Sequence, residues 1–333
     1  MKKSICSFLF FAISALILSG CASPASNEAA SPEVPAVTVR LGGLKGPTSM
    51  GMVKLLDDAE NGKTDNEYSF TMAASADELV PLLLKGELDI LAVPINLGSI
   101  LYANTDGGVQ LLAASTRGVL YIVEKGGNSI GCVEDLRGRT IYATGKGTVP
   151  EYTLTYLLAQ HGLDISADVT VEWKSEPTEI AAQMASEESA VAMLPQPFVA
   201  AAQAQVEGLC IALDLTQEWD SLGNDRQLIT AGLLARREFV AENPEAVSVF
   251  LREYADSCNY VNQNTADAAR LIEKYGIVKS AVAEKAIPYC GICCITGEEM
   301  KTAVSGYLDA LCALSPASVG GAVPKDEFYF AYE

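Results

Sequence analysis

Apolar and polar positions alternate in two rhythms along this chain, and the rhythm keeps changing. Val37 to Leu44, Tyr68 to Ala74, Leu88 to Val93 and Val109 to Ser115 are short, β-branched or apolar runs that read as strands. Between them the apolar spacing shifts to that of helices. One helix follows the segment KGPTSM and runs to about Glu60, and another opens at the capping box Ser75-Ala-Asp-Glu78. Pro81 lies inside that second helix and predicts a kink or a late start, because it removes a backbone hydrogen bond. The alternation resumes after Gly118, with strands at Thr140 to Ala143, Val169 to Trp173 and Ala190 to Leu194. Helices are expected from Pro150 to His161, Glu179 to Ala185 and Phe198 to Val206. From Leu228 onward the pattern is strongly helical. Val247, Phe250, Leu251, Tyr254 and Cys258 share one face after Asn243-Pro244, and Met300, Val304, Tyr307, Leu308 and Leu311 share another after Thr296-Gly-Glu-Glu299. This βαβ order predicts an α/β protein built on mostly parallel sheets with helices on both faces.

The first residues follow a different logic. Lys2 and Lys3 precede an almost unbroken apolar run, Ile5 to Leu18, too short for a resident membrane helix. It ends in Leu18-Ser19-Gly20-Cys21, which resembles the lipobox of bacterial lipoproteins: small residues for the signal peptidase and a thiol to take the lipid. Residues 1–20 are therefore read as a signal peptide and Cys21 as the lipidated residue, carrying several acyl chains, palmitate among them. Residues 21–36 are poor in apolar residues and repeat Pro, as a flexible tether would. The mature protein is expected outside the cytoplasm, lipid-anchored to the bacterial cell membrane.

A formal charge of −19 makes nucleic acid a poor partner, since the surface repels phosphate backbones. Nine Cys occur; with Cys6 in the signal and Cys21 lipidated, seven remain, an odd number scattered through apolar stretches. They read as buried thiols rather than a disulfide framework.

Two segments of the chain echo each other. Lys45-Gly46 and Lys146-Gly147 each precede a helix, Pro94 and Pro195 each end a strand, and Glu78 matches Glu179, all at an offset of 101 residues. Two lobes of the same wiring would produce this. In open α/β sheets ligands sit beyond the carboxyl ends of the strands, which directs attention to the loops that follow. In the first loop Gly46 allows close backbone approach, Pro47 presets a helical turn, and Thr48 and Ser49, with Met50 beside them, follow. In the second, Gly145 and Gly147 precede Thr148-Val149-Pro150-Glu151, a second capping box. Free N–H groups at both helix starts would favour an anionic or carbonyl-bearing ligand; ordinary helix capping would explain the same residues without one. Pro94 and Asn96, Pro195 and Gln196, and Ser115 and Thr116 complete the candidate set. Tyr152, Phe198 and Trp219 could add flat apolar walls.

The segments KGELDILAVP (85–94), LRGRTIYATGKGTVPEYTLTYLL (136–158), MLPQPFVAA (193–201) and SVGGAVPKDEFYF (318–330) resemble the nitrate/sulfonate/taurine and thiamine-precursor group of ABC-transporter substrate-binding lipoproteins. The resemblance covers 37–333 and rests on the order of the motifs more than on any one. It implies a two-lobed type II periplasmic-binding fold closing about a two-strand hinge. Lobe one would comprise 37–116 and 229–333, lobe two 119–227, with the hinge at Ser115 to Gly118 and Gln227 to Ala231. It further implies a small-molecule ligand, an ABC permease and its ATPase as partners, a monomer, no cofactor and no metal.

Enzymatic readings find little support. Gly127-Asn-Ser129-Ile-Gly131 matches a nucleophile elbow, but the next residues cannot form the required helix and the single His, His161, ends a helix leading away from the loops. Cys290-Gly-Ile-Cys293-Cys294 lacks a second cluster for a thiolate metal site. No GxxxxGK[ST] or GxGxxG fingerprint occurs. A lipoprotein hydrolase or a structural surface lipoprotein remains as the alternative to a binding protein.

Overall fold

The computed structural model describes residues 37–223 and 226–332. The expected signal peptide (1–20), Cys21 and the expected tether (21–36) lie outside the described residues. Among the described residues eleven strands form two sheets: β1 (Thr38–Leu44), β2 (Glu67–Ala73), β3 (Ile90–Pro94), β4 (Val109–Arg117), β5 (Leu120–Lys125), β6 (Thr140–Ala143), β7 (Thr170–Trp173), β8 (Ala190–Pro195), β9 (Cys210–Asp214), β10 (Ile229–Arg236) and β11 (Ile292–Ile295). The first sheet has the order β11-β4-β10-β3-β1-β2 and the second β7-β6-β8-β5-β9.

The repeat legible in the sequence is a repeat of topology. In the first sheet β1 pairs in parallel with β2 and β3, and β10 runs antiparallel between β3 and β4. In the second, β6 pairs in parallel with β7 and β8, and β5 runs antiparallel between β8 and β9. In each sheet the antiparallel strand that lies between two oppositely running neighbours is the one that follows a crossing of the chain from the other sheet, and the first sheet adds β11, antiparallel to β4, at its edge. β5 comes directly after β4 by way of Gly118 and Val119, and β10 follows the return. These two strands, with β9 and β11, escaped the sequence reading. β10 lies where only helix was expected, because its almost wholly buried run carries no alternation to distinguish a doubly buried strand from a buried helix.

Burial divides the core into three apolar clusters. One packs the helices Pro244–Gln263 and Thr265–Lys274 on one face of the first sheet, around Val247, Phe250, Tyr254 and Ile272. A second packs Ile180, Met184, Val199 and Val206 on one face of the second sheet. The largest is continuous across the other faces of both sheets. There Tyr307, on the helix Gly297–Leu314, lies 5.3 Å from the Trp219 ring and 3.1 Å, hydroxyl to hydroxyl, from Thr153. The helix Ala76–Leu84 begins at its capping box and runs through Pro81, so of the kink or late start expected there the late start does not occur. Among the described residues no helix is long and apolar enough to cross a membrane.

The Asp of KGELDILAVP is structural. Asp89 is buried at the start of β3, and its carboxylate accepts from Arg40 Nε (2.8 Å), Arg40 Nη2 (2.6 Å) and Arg236 Nη2 (2.9 Å). One side chain thus ties β1, β3 and β10 at the end of the sheet away from Pro94.

Candidate functional site

The carboxyl ends of β1, β3, β6 and β8 face one another across a single cavity of about 130 Å³. From the first sheet come Pro47, Thr48 and Pro94, with Thr116, Thr230 and Ala231 from the two strands that adjoin the crossings. From the second come Val119, Leu120, Val149, Pro150 and Pro195. The repeat is visible in the walls: Pro94 and Pro195 end equivalent strands, and Pro47 and Pro150 sit in the first turns of equivalent helices. Chain geometry accounts for this placement, since equivalent strand ends of two facing sheets must meet at the crossings that join them.

Of the residues singled out from the sequence, Pro47, Thr48, Pro94, Thr116, Val149 and Pro195 line this cavity. The others do not. Met50 is fully buried in the first-sheet core, its Sδ 3.9 Å from Cys290 Sγ. Ser49 is buried and its hydroxyl donates to Leu44 O. Asn96 donates to Ser318 O, Gln196 Oε1 accepts from Ala200 N, and both are buried beside rather than in the cavity wall. Ser115 is buried next to Thr116, with no hydrogen-bond partner for its hydroxyl. Trp219 is wholly buried against Tyr156 and Tyr307 and donates to Arg226 O, so it forms core and not a ligand wall. Tyr152 and Phe198 are half-buried and outside the lining. Val119, Leu120, Pro150, Thr230 and Ala231 line the cavity without having been singled out. Only the positive-φ glycine at 118 and the hinge expectation hinted at them.

Gly46, Gly145 and Gly147 shape the loops rather than the wall. All three have φ between 75° and 149°, and Gly145 is also crowded, since a Cβ there would stand 2.7 Å from Pro150 Cγ. The curl they impose defeats the expected capping box at 148–151. Thr148 Oγ1 donates back to Gly145 O (2.7 Å), and Glu151 reaches past the cap to accept from Gly147 N (2.5 Å). Gly147→Val meets open space, so its cost is conformational, about 1–2 kcal/mol for a side chain in the left-handed region. Melting curves should show that loss, and ligand titration should show binding weakened several-fold as the turn into Val149 is re-formed.

The crossing itself is strained. Val119 has φ 92°, a conformation rare for a β-branched residue and worth about 1–3 kcal/mol of strain. Its burial and the hydrogen bond from Gln196 N to its carbonyl (2.9 Å) hold it there. Gly118, preceding it, has φ 64° and donates to Leu228 O, joining the outgoing and returning crossings.

The hydrolase-like segment is built differently from an elbow. Ser129 Oγ donates to the buried carboxylate of Glu124 (2.5 Å) and accepts from Arg139 (2.6 Å). His161 pairs with Glu134, and that contact holds the exposed Glu134 carboxyl down at about 2. The seven remaining cysteines are free thiols. Burial pushes Cys293 and Cys294 up to about 12 and raises Cys258 and Cys290 well above the ordinary thiol value, so none of these four is a ready thiolate. Among the described residues no three His, Cys, Asp or Glu side chains are grouped to hold a metal ion.

The sequence pattern that defines the NMT1-like family matches residues 57–274, most of the chain, with the whole second sheet and four of the six strands of the first. The chain belongs to the NMT1-like family. No curated protein matches it in sequence. Solved structures share its fold. An ABC transporter protein from Parabacteroides distasonis superposes with a TM-score of 0.75 at 23% identity, over 89% of this chain and 100% of that one. The periplasmic aliphatic sulphonate binding protein of Escherichia coli gives 0.69 at 17% identity, over 91% and 94%. The periplasmic nitrate-binding protein of Synechocystis PCC 6803 gives 0.53 at 15% identity, over 72% and 66%. This NMT1-like protein thus has the two-domain periplasmic-binding-protein fold expected from its motifs, on two mixed sheets rather than mostly parallel ones.

Proposed function

We propose that this NMT1-like protein is the extracytoplasmic solute receptor of an ABC importer. It captures a small organic solute between its two sheets and hands it to a permease driven by an ATPase. The observation that carries the reading is the cavity bounded by equivalent strand ends of both sheets, with both chain crossings at its back. Such a geometry lets ligand be grasped from two sides while only the crossings deform. The chain is read as a monomeric binding protein and not an enzyme: Ser129 and His161 have separate acidic partners and neither lines the cavity. The lobes would divide as 37–116 with 229–333, and 119–227. Small-angle scattering tests closure. Saturating solute should reduce the radius of gyration of the protein, and an unchanged value with bound solute would remove the two-sided grasp.

Anchoring is part of the same proposal. With Cys21 lipidated, the mature chain is held at the outer face of the cell membrane. Cys21→Ser should move the protein from the membrane fraction to the soluble extracytoplasmic fraction with an unchanged melting curve. Equal membrane retention of the variant would rule the anchor out.

A further inference from the structure

We infer that Tyr307 is the pivot on which the two lobes turn, so that the helix Gly297–Leu314, which follows the first lobe in sequence, holds the second lobe as well. The inference deepens the two-lobed reading above, but its test needs no solute, so the two can fail separately.

The distribution of buried side chains points to this helix. On one face of the sheets the lobes keep separate cores. The cluster on the first sheet takes in only Ala200 from the second lobe, and the cluster around Ile180 and Met184 takes in nothing from the first. On the other face a single cluster runs through both lobes. The lobes are therefore joined along one face and separable along the other.

Tyr307 stands where the shared core passes from one lobe to the other. It is fully buried, and its ring ends a row of three: it lies 5.3 Å from Trp219, which lies 4.5 Å from Tyr156. Its hydroxyl meets that of Thr153 at 3.1 Å. Trp219, Tyr156 and Thr153 all belong to the second lobe. The helix is meanwhile fixed to the first lobe. It lies against β4 and β10, and Ser318, just beyond its end, donates to Leu311 O (3.2 Å) while accepting from Asn96 Nδ2 (3.3 Å). The joint also stands beside both crossings. A Cβ at Gly118 would lie 2.0 Å from Thr216 Oγ1, one turn before Trp219. The Trp219 indole N–H donates to Arg226 O (2.8 Å), just ahead of the returning crossing. None of these aromatic residues lines the cavity.

Close-packed interfaces switch between discrete arrangements and do not stretch. A swing that parted Tyr307 from Trp219 would open a void beside large rings and break the hydroxyl bond to Thr153. A swing that parts the opposite face breaks little. There Ala200 supplies a small contact, and the Tyr121 hydroxyl donates to the carbonyl of Tyr289 (3.0 Å), itself 53% exposed. The motion of least cost keeps the Tyr307 joint closed and turns about it.

Hydrogen exchange of the intact mature protein without solute, read by mass spectrometry, tests the pivot. The reporting amides are Gly118, which donates to Leu228 O, and Gln196, which donates to Val119 O, since both hold the crossings. Tyr307→Leu should speed their exchange at least about tenfold, while β1 and β6 change less than about twofold. Phe250→Leu, at an equally buried ring in the first lobe alone, should show no such selectivity. Tyr307→Phe keeps the ring and loses only the bond to Thr153. It should give the same selectivity at about three- to tenfold, and so decides the matter even if Tyr307→Leu fails to fold. Uniform acceleration across both sheets in the Tyr307 variants would make this helix ordinary core and overturn the inference. Crossings that exchange at the native rate in Tyr307→Phe and Tyr307→Leu would overturn it too, as would an equal effect at the crossings in Phe250→Leu.

Discussion

Asp89→Ala should lower the melting temperature of this protein by about 4–6 °C, the equivalent of about 3 kcal/mol for a chain of this size. The carboxylate stands at the start of β3, buried, and receives both arginines that flank it in the sheet, Arg40 from β1 and Arg236 from β10. Backbone bonds add to the clamp: Asp89 N donates to Arg40 O (2.8 Å) and Arg236 N donates to Asp89 O (3.0 Å). Removing the carboxylate leaves two guanidinium groups facing each other across the gap. Because Arg40 and Arg236 keep some access to water, the loss falls at the lower end of the range for breaking a buried pair. Asp89→Asn preserves shape and part of the hydrogen bonding, and should cost about half as much.

The same group predicts a pH dependence. Burial by itself pushes the Asp89 carboxyl up, but the hydrogen bonds from Arg40 and Arg236 more than offset it and hold the carboxyl below its ordinary value. A carboxyl lowered by folding stabilises fully above its unfolded value, near pH 4, and that contribution fades as pH falls through the folded value. Melting temperatures of the native chain should therefore drop below about pH 4 more steeply than those of Asp89→Asn. Parallel curves for the two proteins would mean that the clamp does not act through charge. Ligand affinity near neutral pH should be the same in both, because Asp89 lies at the end of β3 opposite Pro94.

Ala231→Leu should abolish solute binding, weakening it at least about a hundredfold, with little change in the fold. Ala231 lies in β10, 3% exposed, with Pro94 of β3 and Thr116 of β4 as its cross-strand partners. All three line the cavity, so any side chain at 231 is delivered onto its floor. Three added carbons would take up much of a space of about 130 Å³. Extra methylenes forced into a packed core cost about 1–3 kcal/mol, but here the cavity receives them, so the melting temperature should move little. Calorimetry with a solute found by thermal-shift screening of a metabolite panel, run beside melting curves, separates the two effects. Undiminished affinity would place the site elsewhere in the molecule; a collapsed melting transition would mean that 231 belongs to the closed core and not to the cleft.

Some of this architecture could be read from residue order alone. The βαβ rhythm, the offset of 101 residues between Lys45-Gly46 and Lys146-Gly147, and the strand-ending Pro94 and Pro195 are local or periodic signals, and they determined the fold class and the doubled topology. They did so because strand, turn and helix starts depend on short-range sterics and on which face is apolar. Tertiary structure alone decided the rest. Whether Thr148 capped its helix depended on a loop curled by Gly145 and Gly147 and on Glu151 reaching back. Whether Trp219 met ligand or core depended on Tyr307, from a helix distant in sequence. The motif Asp89 could equally have been a ligand group until Arg40 and Arg236 were seen around it. Val119, Leu120, Thr230 and Ala231 carry no chemical signature, and became cleft residues only because the two crossings bring the ends of separate strands to one place. Local sequence specifies which way a side chain leaves the backbone, but what it then meets is set by chain segments far away, and that meeting decides its role.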